Sequence, residues 1–148
     1  MAASGRHHRL MASLKQKGDL AELAVAHDLV RRGFRVAFPY GEDCNYDLIV
    51  DRGDSLERIQ VKYHRSDGAV IVVRCRTHSL TNGKVRVVKH YTSAIIDWLA
   101  VYDRTTSRCY YVPASELGDG RSIMHLRLTP ARSGRRKGIH VATDYLKF

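Results

Sequence analysis

The stretch YDLIVDRGDSLERIQVKY, residues 46–63, decides how the chain folds. Tyr46 to Val50 is apolar except for Asp47, Arg52-Gly53-Asp54 has the composition of a turn, and Arg58 to His64 alternates its side chains between two faces. Two consecutive strands follow from that pattern. In the second, Ile59, Val61 and Tyr63 take one face while Gln60 and Lys62 take the other. An unpaired ammonium in a core strand is destabilising by several kcal/mol, so Lys62 is solvated, paired with an acid or used in chemistry.

Upstream, Leu20, Leu23, Ala26 and Val30 recur at helical spacing, and Gly33 supplies a stop, so a helix is expected from Asp19 to Arg32. Glu22 shares a face with Val25, Ala26 and Leu29, and its carboxylate needs a metal, a lysine or solvent at the margin of that face. A short strand is expected from Phe34 to Pro39, followed by the polar loop GEDCN. Downstream, a turn at Ser66-Asp67-Gly68 leads into a strand from Ala69 to Arg76, which makes a helix followed by a four-stranded meander. Asn82-Gly83 signals a tight turn, Tyr91 to Ile96 one helical turn, and Trp98 to Tyr102 and Cys109 to Val112 two further strands. Ile139 to Phe148 reads as a short packing helix or strand. The order, α and then mainly β, is that of an α+β domain.

With 148 residues, 44% of them hydrophobic and 27% charged, the chain suits one soluble domain with its own core. A flexible basic arm over residues 1–16 precedes it, with Met11 as an alternative start and His7 and His8 as surface residues or DNA contacts. Cys44, Cys75 and Cys109 are odd in number and far apart, which excludes a paired-cysteine metal site or a disulfide framework and fits an intracellular protein. No run approaches the ~18 apolar residues of a membrane span, and no signal-peptide core is present, so no membrane partner is expected.

The balance of 25 Lys+Arg against 15 Asp+Glu, net +10, points to a nucleic acid or an anionic surface as partner. Between Gly68 and His90, Arg74, Arg76, Lys84, Arg86 and Lys89 stand without any acid, with Arg74 and Arg76 on one strand face aimed at a groove. Arg135, Arg136 and Lys137 read as a flexible phosphate clamp.

Three features converge on chemistry: Glu22 on the helix, Asp47 in an apolar strand, and Gln60-Val61-Lys62 on the next strand. A carboxylate in a partly dry site binds Mg²⁺, the backbone carbonyl of Val61 offers a further oxygen, and the Lys62 ammonium orients or deprotonates a water and offsets charge on a phosphorane. The blander alternatives are a pairing of Asp47 with Arg58, a Lys62 that reaches solvent, and a solvated Glu22. Glu57 reads as a surface residue, and His64 as a surface histidine rather than an acid or phosphate contact.

KGDLAELAVAHDLVRRGFRV (17–36), GEDCNYDLIV (41–50) and IQVKY (59–63) together resemble the PD-(D/E)XK nuclease superfamily, which includes restriction enzymes, archaeal Holliday-junction resolvases and intron-encoded homing endonucleases. DWLAVYD and YYVPASEL extend the resemblance more loosely. It implies an N-terminal helix on a mixed sheet of the restriction-endonuclease-like type, spanning residues 17–148 after the arm. The family's helix acid falls on Glu22, its strand aspartate on Asp47 and its lysine on Lys62. Its usual second acid falls on Gln60, a departure shared with the intron-encoded branch, and one that leaves only a neutral carbonyl for a metal. By that resemblance Glu22, Asp47, Gln60 and Lys62 are catalytic, and Glu22, Asp47 and the Val61 carbonyl hold Mg²⁺, with Mn²⁺ as a substitute. The implied protein is a homo-oligomeric, dimeric or tetrameric, homing-type endonuclease of double-stranded DNA, cytoplasmic and nucleoid-associated when bound. A junction resolvase, an inactive DNA-binding module of the same fold, and an RNA-processing protein are the alternatives.

Overall fold

The computed structural model describes residues 13–81 and 84–148, the side chains of 78–86 excepted. The Asn82-Gly83 turn, the side chains of Lys84 and Arg86, and the arm residues 1–12 with His7, His8 and Met11 lie outside the described residues.

Helix α1 runs from Leu14 to Arg31, more than a turn earlier than the apolar spacing indicates. The reason is a capping box: the Ser13 hydroxyl accepts from the Gln16 N–H at 3.1 Å, and the Gln16 side chain accepts from the Ser13 N–H at 2.7 Å. The arm expected over residues 1–16 therefore ends in a cap and a first helical turn at 13–16. Gly33, at φ 92°, takes the left-handed conformation that lets the chain leave the helix. Ala21, Val25, Ala26 and Leu29 form the buried face of α1.

Strands β1 (Arg35–Ala37), β2 (Leu48–Asp51), β3 (Leu56–His64), β7 (Trp98–Asp103) and β8 (Arg108–Pro113) make a mixed sheet in the order β1-β2-β3-β7-β8. Asp47 is thus not inside β2 but immediately before it. β4 (Val70–Arg74), β9 (Ile123–Arg127) and β10 (His140–Val141) make a second sheet in the order β10-β9-β4, and β5 (Arg76–Thr81) pairs with β6 (Lys84–His90) as a two-stranded ribbon. A short 3-10 helix, Ala114–Leu117, follows β8, and another, Ala142–Tyr145, follows β10, so the tail is both strand and helix. Ile95 and Ile96 both donate to the Thr92 carbonyl, which gives the expected turn before β7.

The four-stranded meander is a correction. β1, β2 and β3 pair antiparallel, but the neighbour of β3 is β7, parallel to it from Ile59↔Trp98 to His64↔Asp103. The residues of β7 from Leu99 to Asp103 are all buried, the mark of a central strand covered on both faces, so β7 takes the edge that β4 would have occupied. The buried Asp103 carboxylate also holds the start of the departing chain, accepting from the Ser66 N–H at 2.7 Å and the Ser66 hydroxyl at 2.9 Å.

The strand expected from Ala69 to Arg76 is broken at Cys75. That residue donates to the Ser122 carbonyl, which belongs with the second sheet, and accepts from the Tyr91 N–H at the foot of the ribbon. Arg74 and Arg76 consequently sit on different elements, Arg74 exposed and Arg76 half-buried, and share no strand face.

Three layers result. α1 packs through Ala21, Val25 and Leu29 on Leu48, Val50, Ile59, Val61, Ala100 and Tyr111, one face of the five-stranded sheet. The other face, through Leu99, Val101, Tyr110 and Val112, meets Ile71, Val73, Met124 and Leu126 of the second sheet. Cys44, Cys75 and Cys109 are free thiols, and no described helix is long and apolar enough to cross a membrane.

Candidate active site

The site grows from a mismatch in strand length. β2 begins at Leu48, so its pairing with β3 stops at Leu48↔Ile59 while β3 runs on to His64. The Asp47 N–H still donates to the Ile59 carbonyl at 2.8 Å, which fixes where its side chain leaves the backbone. Beyond that point the Val61 N–H has no partner on β2, and the Asp47 carboxylate takes the strand's place: Oδ2 accepts from Val61 N–H at 2.8 Å and from Gln60 Nε2 at 2.5 Å. Gln60 Nε2 also approaches the Val61 carbonyl oxygen at 3.3 Å. One carboxylate oxygen and one backbone carbonyl oxygen therefore converge on the same amide group.

Burial raises the Asp47 carboxyl above its ordinary value, against the hydrogen bond from Val61, the charge of Lys62 and the hydrogen bond from Gln60. Glu22, half-buried on α1, is raised as well, first by burial and then by the negative charge of Asp47. The sheet thus brings Asp47, Gln60 and the Val61 carbonyl together, with Glu22 near enough to feel Asp47. Among the described residues no three His, Cys, Asp or Glu side chains gather at metal-ligating spacing, so a cation here relies on two carboxylates, the Val61 carbonyl and the neutral Gln60 amide. The carboxylates and the carbonyl are oxygen donors, the set that Mg²⁺ or Mn²⁺ takes, whereas Gln60 presents Nε2 and offers an oxygen only on turning its amide.

Lys62 projects from the same β3 face as Gln60. Its Nζ donates to the Tyr91 hydroxyl at 3.2 Å and stands 5.0 Å from the centroid of that ring. Sequence reasoning assigned Tyr91 no role, because nothing local to the residues around it links them to β3. The contact depends on the ribbon folding back.

The blander alternatives resolve individually. Arg58 pairs with Asp97, Nε to Oδ2 at 3.1 Å, and leaves Asp47 to the site. Glu57 is not a free surface acid: it accepts from Arg52 Nε at 3.0 Å and Trp98 Nε1 at 2.8 Å. His64 is not a surface histidine either, since its Nε2 accepts from the Val72 N–H at 3.2 Å and joins β3 to β4, while burial lowers its pKa.

Of the basic residues, Arg74 and the run Arg135, Arg136 and Lys137 are exposed. Lys89, expected as a phosphate contact, is half-buried, and its ammonium donates to the Asn45 side chain two residues before Asp47.

A model of the PD-(D/E)XK endonuclease family matches residues 12–148. The solved structure of a bacterial homing endonuclease, I-Ssp6803I, is similar with a TM-score of 0.72 and 26% sequence identity, over 90% of this chain and 88% of that one. That of Hjc from Archaeoglobus fulgidus, a Holliday junction resolvase from an archaeal hyperthermophile, gives a TM-score of 0.47 and 15% identity, over 89% of this chain and 98% of that one. No curated protein matches the sequence.

Proposed function

The chain belongs to the PD-(D/E)XK endonuclease family, and on that premise we propose that it hydrolyses phosphodiester bonds of double-stranded DNA with Mg²⁺, or Mn²⁺ in its place, as a site-specific homing-type enzyme. The observation that carries the reading is the convergence of Asp47 Oδ2 and the Val61 carbonyl on Gln60 Nε2. Two oxygens facing one small positively polarised group make a site for a cation. Gln60 completes the set by turning its amide oxygen inward, and Glu22 adds the negative charge that a glutamine lacks.

The bound cation supplies a Lewis acid for the phosphoryl oxygens and a water of lowered pKa. The chain's own residues do the rest. Asp47, fixed by its backbone and by the Val61 N–H, holds its carboxylate in one orientation at the sheet edge. Lys62 brings a positive charge to the same face of β3, where it donates to phosphate oxygens as negative charge builds and orients the attacking water. Exposed Arg74, Arg135, Arg136 and Lys137 supply the sequence-independent phosphate contacts. The similarity to a bacterial homing endonuclease at 26% identity over most of both chains favours a target-site enzyme. A single site cuts one strand, so a homodimer or homotetramer inside the cell is the working form.

The test is a pool of random-sequence linear duplexes incubated with Mg²⁺, with Mn²⁺ or with chelator, alongside Asp47→Ala and Lys62→Ala. Cleavage is expected with either cation and is lost in both variants. Cleavage that ignores chelation or survives either substitution removes the assigned site. Steeply salt-dependent binding without a cut under any divalent cation leaves an inactive DNA-binding module instead.

A further inference from the structure

We infer that the foot of the β5–β6 ribbon positions the catalytic groups, with Tyr91 as the positioning residue for Lys62 and Lys89 as a brace on the Asp47 loop; this deepens the nuclease reading above and rests on it. Tyr91 follows directly on the ribbon's last pair, Arg76↔His90, and its N–H closes onto the Cys75 carbonyl at 2.9 Å. Its ring is buried at 3% exposure in the core between the two sheets, so it is a rigid mount and not a mobile surface group. Lys62 meets that mount through the hydroxyl at 3.2 Å, which sets its ammonium 5.0 Å from the ring centroid, beyond the hydroxyl end of the ring.

A lysine side chain carries about 2 kcal/mol of rotamer entropy, and an ammonium used in catalysis loses efficiency with every orientation other than the reactive one. The hydrogen bond to a buried, fixed hydroxyl confines its head before substrate arrives. A tyrosine that only filled core space would need its ring and any single partner for its hydroxyl. This one has found the family's lysine.

The second contact comes from the same few residues of chain. The Lys89 ammonium is held by Asn45 Oδ1, and two residues further on Asp47 sets the Val61 and Gln60 hydrogen bonds. His90, between Lys89 and Tyr91, meets the Ser122 hydroxyl at 3.3 Å and ties the foot to the second sheet. Residues 89–91 therefore touch the loop of the catalytic aspartate, the second sheet and the catalytic lysine in succession.

The duplex that the wild type cuts fastest in the random pool serves as substrate for the test. Tyr91→Phe keeps the ring and its packing and removes only the hydroxyl. It is expected to lower kcat roughly tenfold, because the freed ammonium leaves its reactive orientation, with KM and metal-free duplex affinity unchanged. Asn45→Ala is expected to lower kcat by a similar factor. The ¹³Cε resonance of Lys62, identified by its loss in Lys62→Arg, shifts in Tyr91→Phe and stays in place in Asn45→Ala.

A Tyr91→Phe chain with wild-type kcat, or with an unmoved Lys62 resonance, overturns the inference while the nuclease reading stands. So does a loss of kcat accompanied by a weakened metal-free duplex affinity or a raised KM, which marks a structural role. A wild type that cuts no duplex with any divalent cation removes the nuclease reading first and this inference with it.

Discussion

At Asp47 stability and function pull in opposite directions. Its folded-state pKa is raised by burial, as is that of Glu22, so each carboxyl holds its proton more tightly in the native chain than in the unfolded one. Stability is therefore withdrawn as pH rises from the ordinary values of 3.8 and 4.5 through the raised ones, while the ionised form that the proposed cation requires is gained over the same window. Asp47→Asn is expected to leave Tm at neutral pH unchanged or higher and to lower cleavage by at least ~10²-fold, since several kcal/mol of charge stabilisation go with the ligand. In chelator, where no cation draws the carboxyl protons off, the loss of Tm with rising pH is expected above the ordinary carboxylate range, and Glu22→Gln simplifies it by removing one of its two ionisations. Gln60→Glu places a second carboxylate against Asp47; its metal-free Tm is expected to fall by roughly 2–8 °C, for about 1–2 kcal/mol, and to recover on adding Mg²⁺ with cleavage retained. A Gln60→Glu chain that is inactive beside an active Asp47→Asn chain reverses the ligand roles. Asp47, Gln60 and Lys62 were legible because they break an apolar pattern within eighteen residues of chain, residues 46–63. Tyr91 was not, because its partner lies 29 residues away and across a ribbon.

Elements were legible where local chemistry decides them and were misjudged where a distant strand does. Trp98 to Tyr102 reads as a strand from its own apolar run, and it is one, but only pairing with β3 makes it the centre of the sheet. Ala69 to Arg76 reads as one strand for the same local reason, yet Cys75 divides its two backbone groups between the second sheet and the ribbon. The start of α1 is a different kind of miss. Ser13-Leu14-Lys15-Gln16 carries the capping-box spacing in plain sight, but Leu14 is exposed and the apolar periodicity begins later, so the periodic signal places the start too late. Ser13→Ala is expected to lower stability by about 1 kcal/mol, which is a Tm decrease of roughly 2–4 °C for a chain of this size, while Ser13→Asp preserves it. Glu22 lies nine residues along the same helix, well past the first turn, so duplex cleavage by Ser13→Ala at a temperature below its transition is expected to match the wild type.

For the molecule as a whole, the Lys62–Tyr91 and Lys89–Asn45 contacts set the candidate site beside the foot of the ribbon, and under the proposed function the net charge of +10 favours a DNA backbone as partner. Charge count alone overstates the contacts, because several cations are already occupied by the protein. Arg58 is paired with Asp97, Arg32 with Asp28, Arg52 with Glu57, and Lys89 is held by Asn45. Arg135 and Arg136 stand exposed on the loop between β9 and β10. Each phosphate contact contributes about 0.9 to the slope of log K against log salt for duplex DNA, so the exposed cations should carry the salt dependence and the occupied ones should not. Replacing both Arg135 and Arg136 by Gln is expected to reduce the slope by about 1.8 and to weaken binding similarly for all sequences, whereas Lys89→Gln leaves the slope close to that of the wild type. Fluorescence anisotropy of a labelled duplex across a salt series, in chelator so that nothing is cut, measures both. A Lys89→Gln slope reduced by about one, with the Arg135/Arg136 variant unchanged, places the phosphate backbone on the ribbon's foot instead of the loop.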